Sequence, residues 1–409
     1  MRLLRRHGSN IIATVVVAFC CFWYLRTNTL RYAGGLGGPS DFREYRRAGQ
    51  AILQGRTPFD NPAWFYPPLT TFLMAPFGLT DYLTARWIWF LLSHAFLLLA
   101  AWLLWRGCGR GRILLCSIAC VWAFGGAAGE SMSLGQIGPL LMLTVVLAYT
   151  QRSTPQGVAV GFGFALKYLP GVLAAALILN RNWRAMVAFA ATIVVAVLLP
   201  SVVLLTCFSG PRAPVTASYW MGSPAVLSWS IPSVVLRILD PPNRGGPLPY
   251  NWEYGNVAAN LRLPRAHQLI SVGVAAALLV AGIAALTLAC RARLDASQLP
   301  WAMTGLISLS LAAAPVCWTH YEILEYPGVA MLLASSIEHR DWFGMAWTAV
   351  FAALLYPIPV EVLTAYYNQH GWTAASPATL YIWTSVTPLA CLGIFALAVR
   401  RTVRKAYLT

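Results

Sequence analysis

The chain has 409 residues, 58% of them hydrophobic and only 10% charged, with a formal charge of +16. A soluble domain carries about a quarter charged residues, so this composition excludes an ordinary water-soluble fold and describes an integral membrane protein. The excess of Arg and Lys sits in short clusters between apolar runs, not in a stripe with stacking aromatics, so it marks topology and sets nucleic acid aside.

A spanning helix needs roughly 20 apolar residues, and short loops rich in Lys and Arg mark the cytoplasmic side. Residues 1–7 carry three Arg and lie inside, and 11–25 form the first span, a retained anchor. That crossing delivers 40–69, SDFREYRRAGQAILQGRTPFDNPAWFYPPL, to the outside. Span 82–105 returns to the basic RGCGRGR, 113–128 crosses out to a turn at Glu130, and 135–149 crosses back to Arg152.

The next apolar segment, 157–179, has Arg152 before it and NRNWR, residues 180–184, after it. A straight span would put one basic end on the wrong side. Gly161, Gly163, Lys167 and Pro170 at its centre suit two half-helices that enter and turn back, and membrane depth tolerates such broken backbone only around a buried or watery cavity. Spans 185–207, 268–290, 299–316, 323–337, 343–359 and 380–399 then alternate, ending inside at RRTVRK. The expectation is an all-α bundle of about ten spans plus a re-entrant helix pair, one polytopic unit over 1–409 with both termini cytoplasmic. Two long outer loops, about 27–80 and 208–266, cap it and carry short surface helices.

Polar groups gather on the outer side. Asp41 and Glu44 lie in the first loop, Glu130 and Gln136 in the second, Arg237, Asp240 and Glu253 in the third, and His320, Glu322 and Glu325 in the fourth. A carboxylate and an imidazole from separate loops can take a proton from a hydroxyl, and cations such as Lys167 and Arg237 can hold a phosphate that leaves with negative charge. The combination suits transfer of a group from a lipid phosphate to an alcohol.

Each residue also has a plainer reading. Ser40 or Asp41 suits the N-cap of an amphipathic helix on the bilayer surface, and His320 suits an interfacial imidazole bonded to water. Outer aromatics such as Tyr66 and Trp229 suit an aromatic belt, though their rings could stack on a sugar. Glu322 and Glu325 offset a helix dipole. Lys167 is harder to treat as incidental, because an ionisable group deep in a membrane segment costs at least ~2.5 kcal/mol unless partnered. Its plain alternative is a side chain snorkelling to the surface. Nine Cys without a CxxC pair offer no zinc site or disulfide framework, and no metal or cofactor motif is present.

The order of signals resembles a known family. Asp41-Phe42-x-x-Tyr45, LQGRTPFD, FYPPL, LGQIGPLL, LKYLPGVL with NRNWRA, and PVCWTHY follow one another as in the polyprenol-phosphate-dependent mannosyltransferases of glycosyltransferase family 87, of the GT-C fold class. The resemblance covers about 41–324. It implies an inverting transfer of a sugar, typically mannose, from a polyprenyl-phosphate carrier to a hydroxyl of a lipid or glycan acceptor outside the bacterial plasma membrane.

By the same resemblance, Asp41 matches the acidic residue taken as part of the catalytic base. His320 matches the first His of a Ser-Trp-Asp-His-His-like segment and pairs with it as a dyad. Lys167, from a Lys-x-x-Pro motif, faces the carrier phosphate, and Gln136 matches a Gly-Gln motif. Tyr45, Tyr66, Trp229 and Arg237 complete the expected substrate-binding set. The chain departs from the family's Asn-Gln-Ser with SWS at 228–230, and from its second His with Tyr321, both in the expected substrate region. A transporter or flippase of lipid-linked saccharides is the alternative, and a scaffold subunit of an envelope complex a third reading. No internal repeat suggests the inverted halves of a transporter.

Overall fold

The computed structural model describes residues 2–30, 33, 36, 40–61, 64, 66–211, 228–239, 264–290, 293–315, 317–355 and 377–406. Asp240 and Glu253 lie outside them. Regular structure among the described residues is helical, and extended pairing is confined to two isolated bridges, Arg56 with Ser209 and Ser228 with Trp318.

In chain order the helices are α1 (Arg2–Tyr24), α2 (Phe42–Leu53), α3 (Pro68–Gly78), α4 (Tyr82–Gly107), α5 (Arg112–Phe124) and α6 (Gly126–Leu134). There follow α7 (Gly138–Thr150), α8 (Thr154–Leu166), α9 (Ala174–Leu179), α10 (Trp183–Ile193) and α11 (Leu199–Cys207). The last are α12 (Ile231–Leu239), α13 (Arg265–Ala289), α14 (Leu299–Ala313), α15 (Tyr326–Glu338), α16 (Trp342–Leu355) and α17 (Pro377–Ala406).

Among the described residues, five helical stretches are long and apolar enough to cross a bilayer: Asn10–Leu30, Tyr82–Gly107, Trp183–Cys207, Arg265–Ala289 and Ser385–Val403. Their outward surfaces are apolar, as a lipid-facing surface would be. Ile11, Ile12, Val15 and Phe22 of α1 and Val187, Val195 and Val202 of the α10–α11 stretch are exposed, an arrangement water would penalise.

Elsewhere the expected spans take other forms. The segment expected to cross at 113–128 is two helices, α5 and α6, bent by 51° at Gly125. Those expected at 135–149 and 299–316 are the 13-residue α7 and the 15-residue α14. Both are buried on nearly every side, which accounts for sequences apolar all round without a lipid-facing stripe.

The segment expected to break at its centre does so. α8 ends at Lys167, whose own backbone is extended (φ −164°, ψ 120°). A 3-10 turn, Leu169–Leu173, then leads into α9. Pro170 brings no N–H to continue the α8 ladder. The two ends of the segment meet: Asn182 Nδ2 donates to Gln156 Oε1 at 3.2 Å, and a Cβ on Gly157 would fall 1.9 Å from the Ala185 carbonyl oxygen.

Near them, a polar cavity of about 440 Å³ is lined by Gly107, Arg152, Asn180, Ser297, Glu338 and His339. It therefore gathers at one end of the bundle several connections that the charge rule places together. Lys167 and the residues around Asp41 belong to neither that cavity nor its rim.

Candidate active site

The first polar loop folds as α2 because its apolar positions recur at helical spacing. Phe42, Tyr45, Ala48, Gly49 and Ala51 face inward, while Arg43 and Arg47 face out. Gly49 allows α2 to lie directly on α3, since a Cβ there would come 2.2 Å from the Met74 carbonyl oxygen. Arg46 ties the flank down by donating from Nη2 to the Thr80 carbonyl at 2.5 Å. Glu44 accepts from Arg47 at 2.8 Å and from Asn61 at 2.6 Å, which commits it to holding the loop.

Asp41 occupies the N-cap position of α2, yet its side chain caps nothing. Its carboxylate instead accepts a hydrogen bond from Gln136 Nε2. Capping therefore does not explain this acid, which keeps an exposed edge at the mouth of the site.

Gln136 is aimed by the corner between α6 and α7. Gly135 turns the chain with φ +69°, and a Cβ there would lie 2.7 Å from both Arg86 Nη1 and the Phe42 Cβ. Arg86 Nη2, from α4, donates to the carbonyls of Met132 (2.5 Å) and Ser133 (2.7 Å), satisfying orphan acceptors at the negative end of α6. Trp89 Nε1 bonds the Gly135 carbonyl at 2.9 Å. Thus pinned, Gln136 Oε1 accepts from Tyr45 Oη at 2.9 Å and from Tyr66 Oη at 3.3 Å.

Lys167 approaches from the break after α8. Its ammonium lies 3.7 Å from the ring centroid of Tyr321 and 4.7 Å from that of Tyr66. It is 7% exposed, and its Nζ has no hydrogen-bond partner among the described residues. Two aromatic faces return up to ~2 kcal/mol of the cost of burying a cation and leave its N–H groups available to an anion. Beyond it an apolar cavity of about 580 Å³ runs between the 164–172 turn, α13 and α14, lined by Phe164, Leu169, Val272, Leu279 and Ile283.

His320 stands in the 3-10 turn Thr319–Glu325 before α15, buried, with its ring edge-on to Tyr321 at 4.6 Å. Its Nε2 has no partner among the described residues. No hydrogen bond joins Asp41 to His320 among those residues, although the Lys167 charge acts on both. Loss of hydration pushes the Asp41 pKa above the usual carboxylate range; the Gln136 bond and the Lys167 and Arg86 charges oppose this, and Glu44 reinforces it. Burial, then the Lys167 charge, holds His320 well below the usual imidazole value, so it is neutral at pH 7.

Arg237 and Trp229 lie in a separate brace. Arg237 Nη1 donates to the Ser228 carbonyl at 3.1 Å, and the Trp229 N–H reaches the Cys317 carbonyl at 2.6 Å. Both side chains are fully buried. SWS therefore fastens the start of α12 to Cys317, just before the turn that carries His320.

The structure thus brings together Asp41, Tyr45, Tyr66, Gln136 and Lys167, with His320 beside the same Tyr321 ring. Two participants escaped the sequence reading. Arg86, an ionisable residue inside an apolar run, carried the signal that drew notice to Lys167. Tyr321 was legible only as a missing His. Glu322 and Glu325, read as dipole partners, are buried at 1% exposure, with Ser308 Oγ donating to Glu325 at 2.7 Å.

Comparison with known proteins adds three findings. The model of glycosyltransferase family 87 matches residues 64–317. A polyprenol-phosphate-mannose-dependent alpha-(1-2)-phosphatidylinositol mannoside mannosyltransferase of Mycobacterium tuberculosis is 24% identical over 92% of this chain and 91% of its own length. An alpha-(1->3)-arabinofuranosyltransferase of the same organism is 31% identical over 35% of each chain.

Proposed function

Because this chain belongs to glycosyltransferase family 87, we propose that it moves a sugar, mannose in the first instance, from a polyprenyl-phosphate carrier to a hydroxyl of a lipid or glycan acceptor. The observation that carries this reading is the placement of Lys167. The buried Lys167 side chain, its Nζ unengaged among the described residues, lines an apolar cavity and is near enough to Asp41 for its charge to act on that carboxylate. The groove takes the first isoprene units, and the ammonium takes the phosphate.

Asp41 then accepts the proton of the acceptor hydroxyl as that oxygen bonds to the anomeric carbon. The carbon–oxygen bond to phosphate breaks from the opposite face, its electron pair leaves with the polyprenyl phosphate, and the configuration inverts. Lys167 holds the charge that develops on the leaving group. His320, neutral and with Nε2 unengaged, donates to or accepts from a sugar or acceptor hydroxyl. Tyr66 borders the sugar, while Trp229 and Arg237 act through the 317–321 turn they hold.

Most of the expected capping segment 208–266 lies outside the described residues. The reaction belongs to the extracytoplasmic face of a bundle of about ten spans with 157–179 re-entrant. The Asn182–Gln156 bond supports that last element, because it sets both ends of the segment side by side. A pentose donor is the second reading, favoured by the arabinofuranosyltransferase relative.

The test is transfer by the purified chain from synthetic polyprenyl-phosphate mannose. Asp41→Asn is expected to lower turnover about 10²-fold or more while retaining donor binding, and His320→Ala to be the next most damaging change. Transfer that survives both substitutions sinks the reading of Asp41 and His320.

A further inference from the structure

Gln136 is committed on nearly all its hydrogen-bonding positions before any substrate enters. Its carbonyl oxygen accepts from Tyr45 and Tyr66, which uses both lone pairs, and its amide donates to Asp41. The three partners come from separate stretches: Asp41 and Tyr45 from α2, Tyr66 from the turn before α3. The ionised Asp41 carboxylate can only accept, so it fixes which end of the amide faces it, and the two phenol hydroxyls then donate to the oxygen on the other side. The backbone behind Gln136 is held equally firmly, by its own N–H on the Ser131 carbonyl at 2.9 Å, by Trp89 on Gly135 and by Arg86 on the end of α6.

We propose that Gln136 is a positioning residue for Asp41: its amide, braced by Tyr45 and Tyr66, holds the carboxylate in its charged, proton-accepting form at a set angle, and does not bind the sugar. This rests on the reading of Asp41 as the base. An N–H donor to a carboxylate favours the ionised form, and here it works against the loss of hydration that raises the Asp41 pKa. The other charged or titratable groups acting on Asp41 are Lys167 and Arg86, which also favour the charged form, and Glu44, which opposes it. Tyr45 and Tyr66 are protonated phenols whose own pKa values burial raises.

The experiment is the pH profile of kcat/KM for polyprenyl-phosphate mannose, with full-length chain in detergent, for wild type, Gln136→Met and the isosteric Gln136→Glu. Loss of the donor raises the Asp41 pKa, so the acid limb should move about one unit or more toward higher pH. On the acid limb, well below the Asp41 pKa, kcat should fall about tenfold for each unit the limb moves, with KM for the donor little changed and the loss recovered as the pH rises. Gln136→Glu should move the limb at least as far, because two adjacent carboxylates resist joint ionisation.

A raised KM with an unmoved limb would make Gln136 a substrate contact and overturn the proposal. Equal loss at every pH, with a lowered melting temperature, would make it a structural residue and overturn it too. Asp41→Asn in an otherwise unchanged chain separates the two levels: if that variant turns over normally, the reading of the base fails, whatever the Gln136 variants show.

Discussion

On the proposed assignment Lys167 holds the carrier phosphate and Asp41 takes the proton, so substitutions at the two separate binding from chemistry. Lys167→Arg preserves the charge but replaces a compact ammonium with a planar fork, in a space bounded by the rings of Tyr66 and Tyr321. The expected outcome is a KM for the carrier raised about tenfold with a smaller change in kcat, and steady-state kinetics will show whether turnover alone falls, which would move Lys167 from binding to chemistry. For Asp41 the sign of the pH dependence follows from its raised pKa. The carboxylate must be unprotonated to accept a proton, so transfer should fall on acidification at a pH above the usual Asp value of about 3.9. His320, held neutral, is already unprotonated across that range, so His320→Ala should lower the profile without moving the limb. Asp41, Lys167 and His320 were legible as residues because charge in an oily chain is conspicuous. The role of Gln136 was not, because it depends on partners 70, 91 and 95 positions away that no local pattern connects.

At the scale of elements, the corner at Gly135 decides whether those side chains meet. Its left-handed φ of +69° strains any residue with a Cβ, and the space a Cβ needs is taken by Arg86 and Phe42. Gly55 offers a natural control: its φ is +70°, but nothing lies within 4 Å of its Cβ position. Gly55→Ala should therefore cost only the backbone strain, about 1 kcal/mol. Gly135→Ala adds a clash with a helix-capping guanidinium and should cost about 2–4 kcal/mol together with most of the transfer activity. Thermal unfolding of the two variants in detergent checks the ranking, and equal melting temperatures would remove the corner from its place in the site. The amphipathic helix after the first span and the break at Lys167 were readable, since spacing and Gly and Pro placement signal both. The bend at Gly125 and the short buried α7 and α14 were not. An apolar run buried in protein has the same composition as one facing lipid, and only the neighbours distinguish them.

At the scale of the whole molecule, the proposed chemistry requires that the Asp41 end and the Arg152 end face opposite sides of the membrane. The polar cavity joining Gly107, Arg152, Asn180 and His339 collects connections near five Arg-bearing turns, and such clustering of short basic loops is what orients a polytopic chain toward the cytoplasm. The other end holds Lys167 over its aromatic faces, with α2 laid across the mouth. Arg47 and Arg152 are both exposed, one at each end. Arg47→Cys should react with a membrane-impermeant maleimide in intact cells, and Arg152→Cys should react only after the membrane is opened. The native exposed thiols, Cys21 and Cys207, are first replaced by Ala, because Cys207 ends its helix two residues before Ser209, which pairs with Gly55 and Thr57 on the Arg47 side. Labelling of Arg152→Cys from outside would invert the bundle. It would also place Asp41 and the carrier phosphate in the cytoplasm, where a sugar donor need not be lipid-linked, and the reason for an apolar groove leading to a buried lysine would have to be sought elsewhere.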